Sequence, residues 1–430
     1  MSTSAKLKIC LWLFAISQLV SIFADRLKQL SLVGLVGLVN PGSSAELLQL
    51  GLVMHLPMLL FAPLFGALLD RWNKAAVIVA VDVVRAVLIV VIPWAFAWTG
   101  SIYSVYSVVL IVSLADLLFS PARSALIPML APPQKLVQVN AVFWGLGIVG
   151  TLGGFLLTGW FFDYRSWQAS FHTDAASYGV AALLMLPALW ICRRGRMATG
   201  TAETQAVDAS DKPARRRRPT VVESIRWVFG SIRQGVFLIG QNRTIAVCLI
   251  AQSGVFAFGG VIYVIGISHV QEVFPAGKTI YLSVVSTCLL VGLLLGSWIA
   301  SFFRNRTTPQ RTIAVASILC GVAVVGIGRT DTMIPMSIWS AVVGLATSPV
   351  FIFTETLLQE HSPADFRGRI FATREVMIKA AFLATSVIAT AINAAVSKTV
   401  ILTAVGLFLA LLGVLLERMK WLDTQSGNKR

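Results

Sequence analysis

Charge is what this sequence has least of. Only 13% of its 430 residues are Asp, Glu, Lys or Arg, while 57% are hydrophobic; a soluble domain carries about a quarter charged residues. So thin a supply cannot cover a water-facing surface, which excludes a soluble globular fold. Histidine is scarcer still. The four present, His55, His172, His269 and His361, form no HExxH or Ser-His-Asp arrangement, and the single H-x-x-x-D spacing, His361 to Asp365, falls in a Pro-containing stretch between apolar runs. That argues against a membrane-bound acyl or glycosyl transferase, and no catalytic residue is expected. Five cysteines, Cys10, Cys192, Cys248, Cys288 and Cys320, show no C-x-x-C spacing, so neither a disulfide framework nor a metal site is implied. They read as small apolar packing residues, and no metal or cofactor is expected.

Long apolar runs are what the sequence has in quantity. Mean hydropathy is +0.80. Runs of about 20 residues, enough to cross a ~30 Å hydrocarbon core, recur along the whole chain. Twelve lie near 9–38, 46–69, 75–98, 102–127, 138–161, 173–192, 244–267, 280–303, 311–328, 333–357, 371–395 and 398–417. The first continues to about Val39, too long for the apolar part of a cleavable signal peptide. The fold class expected is an all-α polytopic membrane protein.

The net charge of +16 invites a nucleic-acid reading, but its distribution rejects one. With both termini placed in the cytoplasm, only Arg165, Lys278, Arg329 and Lys398 fall on the far side, and Arg26, Lys28 and Arg85 lie within spans. Every other Lys and Arg, Arg374 among them, is then cytoplasmic. This asymmetry is the positive-inside rule, and it supports an even number of spans independently of hydropathy. The basic excess therefore reports topology, and no nucleic-acid partner is expected.

The few polar side chains inside the runs are the candidate functional residues, because an ionised group in hydrocarbon costs about 2.5–3.5 kcal/mol or more. Gln18, Ser21, Asp25 and Gln29 recur at spacings that place them on one helix face. Either that face lines a protein or water-filled interior, or Asp25 pairs locally with Arg26 or Lys28. Asp82 and Arg85, three apart, are neighbours on a helix and form either a structural or gating pair or a direct part of the working site. His55 reads as a packing residue in preference to a proton relay. Gln252, His269 and Glu355 are the corresponding polar groups of the second half, and Asp116 stands in the fourth run. The glycines from Gly147 to Gly154, G-x-x-G-x-x-G-G, suit close helix packing, with no strand ahead of them to suggest a nucleotide.

Two six-helix bundles are read from an internal repeat in which Gly66 maps to Gly296 and Pro133 to Pro363, about 230 residues on. The division expected is 1–192 and 243–417, joined by a polar linker at 193–242 and followed by a tail at 418–430. The linker holds the run Arg215–Arg218 and an amphipathic stretch from Ile225 to Ile239, suited to the inner headgroup region.

One hairpin narrows the class. Between the second and third runs stands G-A-L-L-D-R-W-N-K, from Gly66 through Asp70, Arg71 and Asn73 to Lys74, followed by Asp82 and Arg85. It resembles the loop between spans 2 and 3 of the major facilitator superfamily, roughly G-x-L-x-D-R-x-G-R/K, with Asn73 in place of the second Gly. The second-half copy, from Gly296 to Arg304, has Ala300 where the acid would be. Further phrases are similar to the macrolide and siderophore (enterobactin) exporter branch of that superfamily. They are P-A-R-S-A-L-I-P-M-L with Arg123, L-V-Q-V-N-A from Leu136, D-A-A-S-Y from Asp174, and R-G-R-I-F from Arg367 through Gly368 and Arg369.

The resemblance implies the major facilitator fold, with spans 1, 4, 7 and 10 lining a midplane cavity. It implies a monomer in a bacterial inner membrane, both termini cytoplasmic, and an inner gate in which Asp70 meets Arg123 and the start of span 11. The function expected is secondary active, proton-coupled efflux of a hydrophobic or amphiphilic small molecule. Its partners are the substrate, protons and the lipid bilayer. Asp25, then Glu355, then Asp116 (facing a possible partner in Arg123) are the proton-coupling candidates. Aromatic side chains such as Trp12, Phe14, Trp144, Phe256, Phe258, Tyr263, Trp339, Phe351 and Phe353 support the lean toward an apolar substrate. The alternatives are a siderophore or metabolite exporter, a lysophospholipid flippase, a nutrient importer, or a transport-inactive membrane scaffold.

Overall fold

The computed structural model describes residues 3–69, 72–130, 136–199, 243–275, 277–303, 308–362 and 367–418. They form twelve long helices: α1 (Thr3–Val39), α2 (Ser44–Leu69), α3 (Lys74–Thr99), α4 (Ile102–Leu130), α5 (Leu136–Trp160) with a π turn Phe161–Arg165, and α6 (Trp167–Thr199). Then come α7 (Arg243–Val261, a π turn Ile262–Gly266, and Ile267–Val273), α8 (Ile280–Phe303), α9 (Pro309–Gly328), α10 (Met333–His361), α11 (Arg367–Asn393) and α12 (Lys398–Arg418). Helices are the expected answer of a chain whose backbone has no water to bond. Over the described residues, eleven of them are long and apolar enough to cross a membrane. The stretch 200–242, with the expected amphipathic segment, lies outside the described residues, and α6 continues through 193–199.

Local chemistry sets the ends. Asn73 caps α3, its side-chain oxygen accepting from the N–H groups of Ala75 and Ala76 at 3.0 and 3.3 Å. This gives the departure from glycine at that position a physical role. Gly100 closes α3 at φ 63°, a left-handed conformation that favours glycine. Thr308 caps α9 with Pro309 in the first turn.

The chain divides into two compact units. One comprises Met1–Gln29, Leu60–Gly154 and Gln168–Val228; the other comprises Leu30–Leu59, Phe155–Trp167 and Phe229–Arg430. In the first unit α3 lies along α4, and a core forms from Phe14 of α1, Ile78 and Val81 of α3, Phe119 and Leu126 of α4, and Met185 of α6. The α5 glycines bring that helix hard against α1. A Cβ on Gly150 would stand 2.8 Å from the Leu19 carbonyl oxygen, and one on Gly154 would stand 2.7 Å from that of Phe23.

In the second unit α8 pairs with α10, α9 with α12, and α7 with α11. Glycine again sets the spacing. Gly344 abuts the Leu289 carbonyl and Gly292 that of Ala341, while Gly321 and Gly406 face each other across α9 and α12. Large apolar side chains left outside these packings, such as Trp98, Leu183, Ile334 and Phe408, are exposed, as a lipid-facing surface requires. Trp12 and Trp144 belong to that exposed set, whereas Phe14, Phe258, Tyr263 and Phe353 are buried.

Candidate functional site

The first unit concentrates its charge in one buried network. Arg85 of α3 is 2% exposed and donates from Nη1 to Asp82 at 3.2 Å and from Nε to Asp116 of α4 at 2.5 Å. Lys28 of α1 stands 3.3 Å from both Asp25 and Asp116. Tyr178 of α6 donates its hydroxyl to Asp25 at 2.5 Å, and Ser21 donates to Asp82 at 3.3 Å. Aromatic faces hold the cations as well: Arg85 lies 4.1 Å from the Phe119 ring centroid, and Lys28 lies 5.6 Å from that of Tyr178.

Four helices thus converge on two cations that three acids share. Lys28 is equidistant from Asp25 and Asp116, so a small movement of α1 against α4 selects one partner over the other. Adding a proton to either acid likewise leaves Lys28 to the other. An arrangement of this kind can exchange partners, which a single isolated ion pair cannot.

Some of these pairings are legible in the sequence and others are not. Asp82 and Arg85 do pair. Asp25 pairs with Lys28, the local partner expected, and also accepts from Tyr178. The expected Asp116–Arg123 partnership is replaced: Asp116 bonds Arg85 and Lys28. The reason is that Arg85 points across from α3 at the level of Asp116, whereas Arg123, half-buried, is two turns further along α4. Gln29 accepts from Arg26 at 2.9 Å. Gln18 is buried with neither amide atom partnered among the described residues.

A second cluster lies in the other unit. Arg374 of α11 donates to Gln252 of α7 at 2.6 Å and pairs with Glu355 of α10 at 3.0 Å. Gln252 donates in turn to Glu355 at 3.1 Å, closing a triangle. Arg374 also reaches Glu375 at 3.1 Å, and its guanidinium lies 5.6 Å from the Phe351 ring centroid. Arg374, one of the basic residues expected on the cytoplasmic side, therefore turns its guanidinium to partners on other helices. Its side chain is buried, and the three polar partners explain how it tolerates that. His269 is buried with Nε2 unpartnered among the described residues, and His55 packs edge-on against Phe382 with centroids 5.2 Å apart, a packing residue.

Polar contacts of another kind tie the α1–α2 and α5 ends within the second unit. Gln271 donates to the Val33 carbonyl at 2.9 Å, Asn393 to Ser44 at 2.9 Å, and Lys398 to the Gly42 carbonyl at 2.5 Å. Asp163 accepts from the backbone N–H groups of Thr279 and Ile280. None of these was singled out from the sequence, where they read as ordinary loop and span-end residues.

Of the hairpin residues, Asp70 and Arg71 lie outside the described residues. Gly66 falls near the end of α2, and Lys74 opens α3, donating to the Trp72 carbonyl at 3.2 Å. Arg367, Gly368 and Arg369 form the first turn of α11, and their side chains are not among those described.

Comparison with known proteins agrees with this architecture. The model of the Major Facilitator Superfamily matches residues 13–373. An uncharacterized MFS-type transporter of Mycobacterium tuberculosis is 23% identical over 399 residues, covering 89% of this chain and 84% of that protein. Macrolide efflux protein A of Enterococcus faecalis is 21% identical over 347 residues, covering 76% of this chain and 95% of that protein. Among solved structures, the nucleoside transporter NupG is similar with a TM-score of 0.67 at 13% identity, over 95% of this chain and 97% of that one. The peptide transporter POT in complex with sulfate gives 0.64 at 14% identity, over 94% of each chain; identities this low speak for the fold alone. With twelve helices, a buried charge network between them and a family match over most of its length, the chain belongs to the Major Facilitator Superfamily and is a multi-pass membrane transporter of small molecules, not an enzyme.

Proposed function

We propose that this transporter exports a hydrophobic or amphiphilic small molecule across a bacterial inner membrane, driven by inward proton flow. The observation that carries the reading is the shared network of Lys28 and Arg85 with Asp25, Asp82 and Asp116. A proton entering it competes with a cation for an acid and can thereby trade one helix contact for another. Asp25, Asp116 and Glu355 each hold a cation, so a proton bound at any of them displaces Lys28, Arg85 or Arg374. The distant similarity to macrolide efflux protein A supports export and an apolar, amphiphilic cargo.

On this reading the halves are 1–192 and 243–417, with a linker at 193–242 and a tail at 418–430. Both termini are cytoplasmic and the monomer is the working unit. Alternating access exposes Gln18, Ser21, Gln29, Gln252 and His269 to the substrate. Asp70 with Arg123, and the Arg367–Gly368–Arg369 turn, close the inner side. The ends tied by Gln271, Lys398 and Asp163 are then the outer side.

The test is uptake of the lipophilic dye Hoechst 33342 into inverted vesicles energised with a proton gradient. Accumulation should appear only with the protein and collapse when nigericin dissipates the gradient. Dye uptake that continues unchanged after collapse overturns the coupling. Reporter fusions that put the two chain ends on opposite sides overturn the topology.

A further inference from the structure

One acid in the first unit stands apart from the shared network. Asp174, on α6, is fully buried, and neither carboxyl oxygen has a hydrogen-bond partner among the described residues. Its charged neighbours come from each helix around it: Lys28 and Asp25 from α1, Arg85 from α3 and Asp116 from α4, with the Tyr178 hydroxyl one turn further on α6. α5 has no ionisable residue before Asp163. Every one of those neighbours is already engaged. Lys28 serves Asp25 and Asp116, Arg85 serves Asp82 and Asp116, and Tyr178 serves Asp25.

The inventory decides the matter. Lys28 and Arg85 are bonded to Asp25, Asp82 and Asp116, Arg26 and Arg123 add their charge on the Asp25 side, and among the described residues no donor reaches Asp174. A bare carboxylate with no donor in a water-poor interior is far more costly than a neutral acid, which loses only hydrogen bonds. The partnered acids have their charge compensated, and Asp174 does not. A proton belongs there first.

We propose that Asp174 is the proton-carrying residue of this transporter, neutral while Lys28 is held by Asp25 and Asp116, and ionised when Lys28 leaves them for it. The step is a simple acid dissociation. The O–H bond of Asp174 breaks, the proton passes to water on the side then open, and the Lys28 ammonium neutralises the carboxylate left behind. Lys28 is the cation this exchange would use, its ammonium already divided between Asp25 and Asp116 at 3.3 Å each. The inference rests on the proton-coupled reading above and assigns the coupling to a residue outside its first three candidates.

Two measurements on the purified full-length protein test it. In infrared spectra at neutral pH, the wild-type minus Asp174→Asn difference should contain the C=O stretch of a protonated carboxyl. That band should shift in D2O and move in Asp174→Glu. A difference spectrum without it overturns the proposal, and the Asp174→Glu comparison serves if Asp174→Asn does not fold. In proteoliposomes, Asp174→Asn should keep Hoechst 33342 exchange between the two sides but lose accumulation driven by a proton gradient. Wild type that couples while Asp174→Asn couples equally well removes Asp174 from the mechanism and leaves proton coupling standing. Wild type that never couples removes both.

Discussion

The carboxylate of Asp163 accepts the backbone N–H groups of Thr279 and Ile280, at 2.9 and 2.8 Å, at the very start of α8. These are among the donors a helix leaves free at its first turn, and the positive end of the helix dipole lies at the same place. A charge from the end of α5 is thereby bound to a helix more than a hundred residues later. The fit around it is close: a Cβ on Gly159 would stand 2.6 Å from the Ile280 Cα, and one on Gly34 would stand 2.6 Å from Thr279 Oγ1.

Removing this cap should loosen the end it holds. Loss of a helix cap is worth about 0.5–2 kcal/mol, so Asp163→Ala should shift the population toward the state open at that end by roughly 2- to 30-fold. Spin labels at Leu38 and Lys278, introduced after the native cysteines are replaced, read the opening as a longer interlabel distance in electron resonance. An unchanged distance distribution means that the cap does not hold this end shut.

The contrast between Asp163 and Asp82 shows what the sequence could and could not disclose. Asp82 and Arg85 are three residues apart on a helix, and local periodicity alone brings them together. The twelve helices and the close packing of Gly147–Gly154 follow equally from patterns read within one segment. Lys28–Asp116 spans 88 positions and Arg374–Gln252 spans 122, so both require the helices to be assembled first. Arg374 is a case in point. Near the start of a span, a basic residue counts toward the positive-inside rule, and only its partners on α7 and α10 reveal that it is turned inward. Orphan status, as at Asp174, has no sequence signature at all.

The Arg374 triangle carries a stability prediction. Breaking a buried pair by deleting one partner leaves the other charge uncompensated and costs about 3–5 kcal/mol. Arg374→Ala should therefore lower the thermal midpoint of the detergent-solubilised protein strongly, by way of the stranded Glu355. Arg374→Gln combined with Glu355→Gln should recover most of the loss, since two amides beside Gln252 bury no net charge. A double variant as unstable as Arg374→Ala would mean that packing against Phe351 and Phe371, not charge, is the dominant contribution.

The hairpin acid is expected to bear on transport more than on folding. In the proposed function Asp70 helps to close the inner side, a role in which it would meet the positive end of a helix dipole. Asp70→Asn should nearly abolish Hoechst 33342 transport in vesicles while membrane insertion, followed by immunoblotting of the membrane fraction, stays close to wild type. Normal transport by that variant rules the inner-gate assignment out.

The α1–α5 contact offers a prediction that separates spacing from residue type. At Gly154 an added Cβ would stand 2.6 Å from the Arg26 Cβ and 2.7 Å from the Phe23 carbonyl oxygen, both parts of α1 that cannot rotate away. At Gly145, on the same helix, nothing lies within 4 Å. Gly145→Ala should be tolerated, and helix propensity gives it a gain of up to ~1 kcal/mol. Gly154→Ala must push α5 off α1, with an overpacking cost of about 1–3 kcal/mol. Because α1 carries Asp25 and Lys28 within one turn of Phe23 and Arg26, the displacement should also disturb the ion pairs and lower proton-driven transport beyond any fall in expression. Thermal midpoints and transport per unit of inserted protein, measured for both variants, decide this, and equal behaviour at the two positions would show that α1 and α5 can separate without consequence for the network.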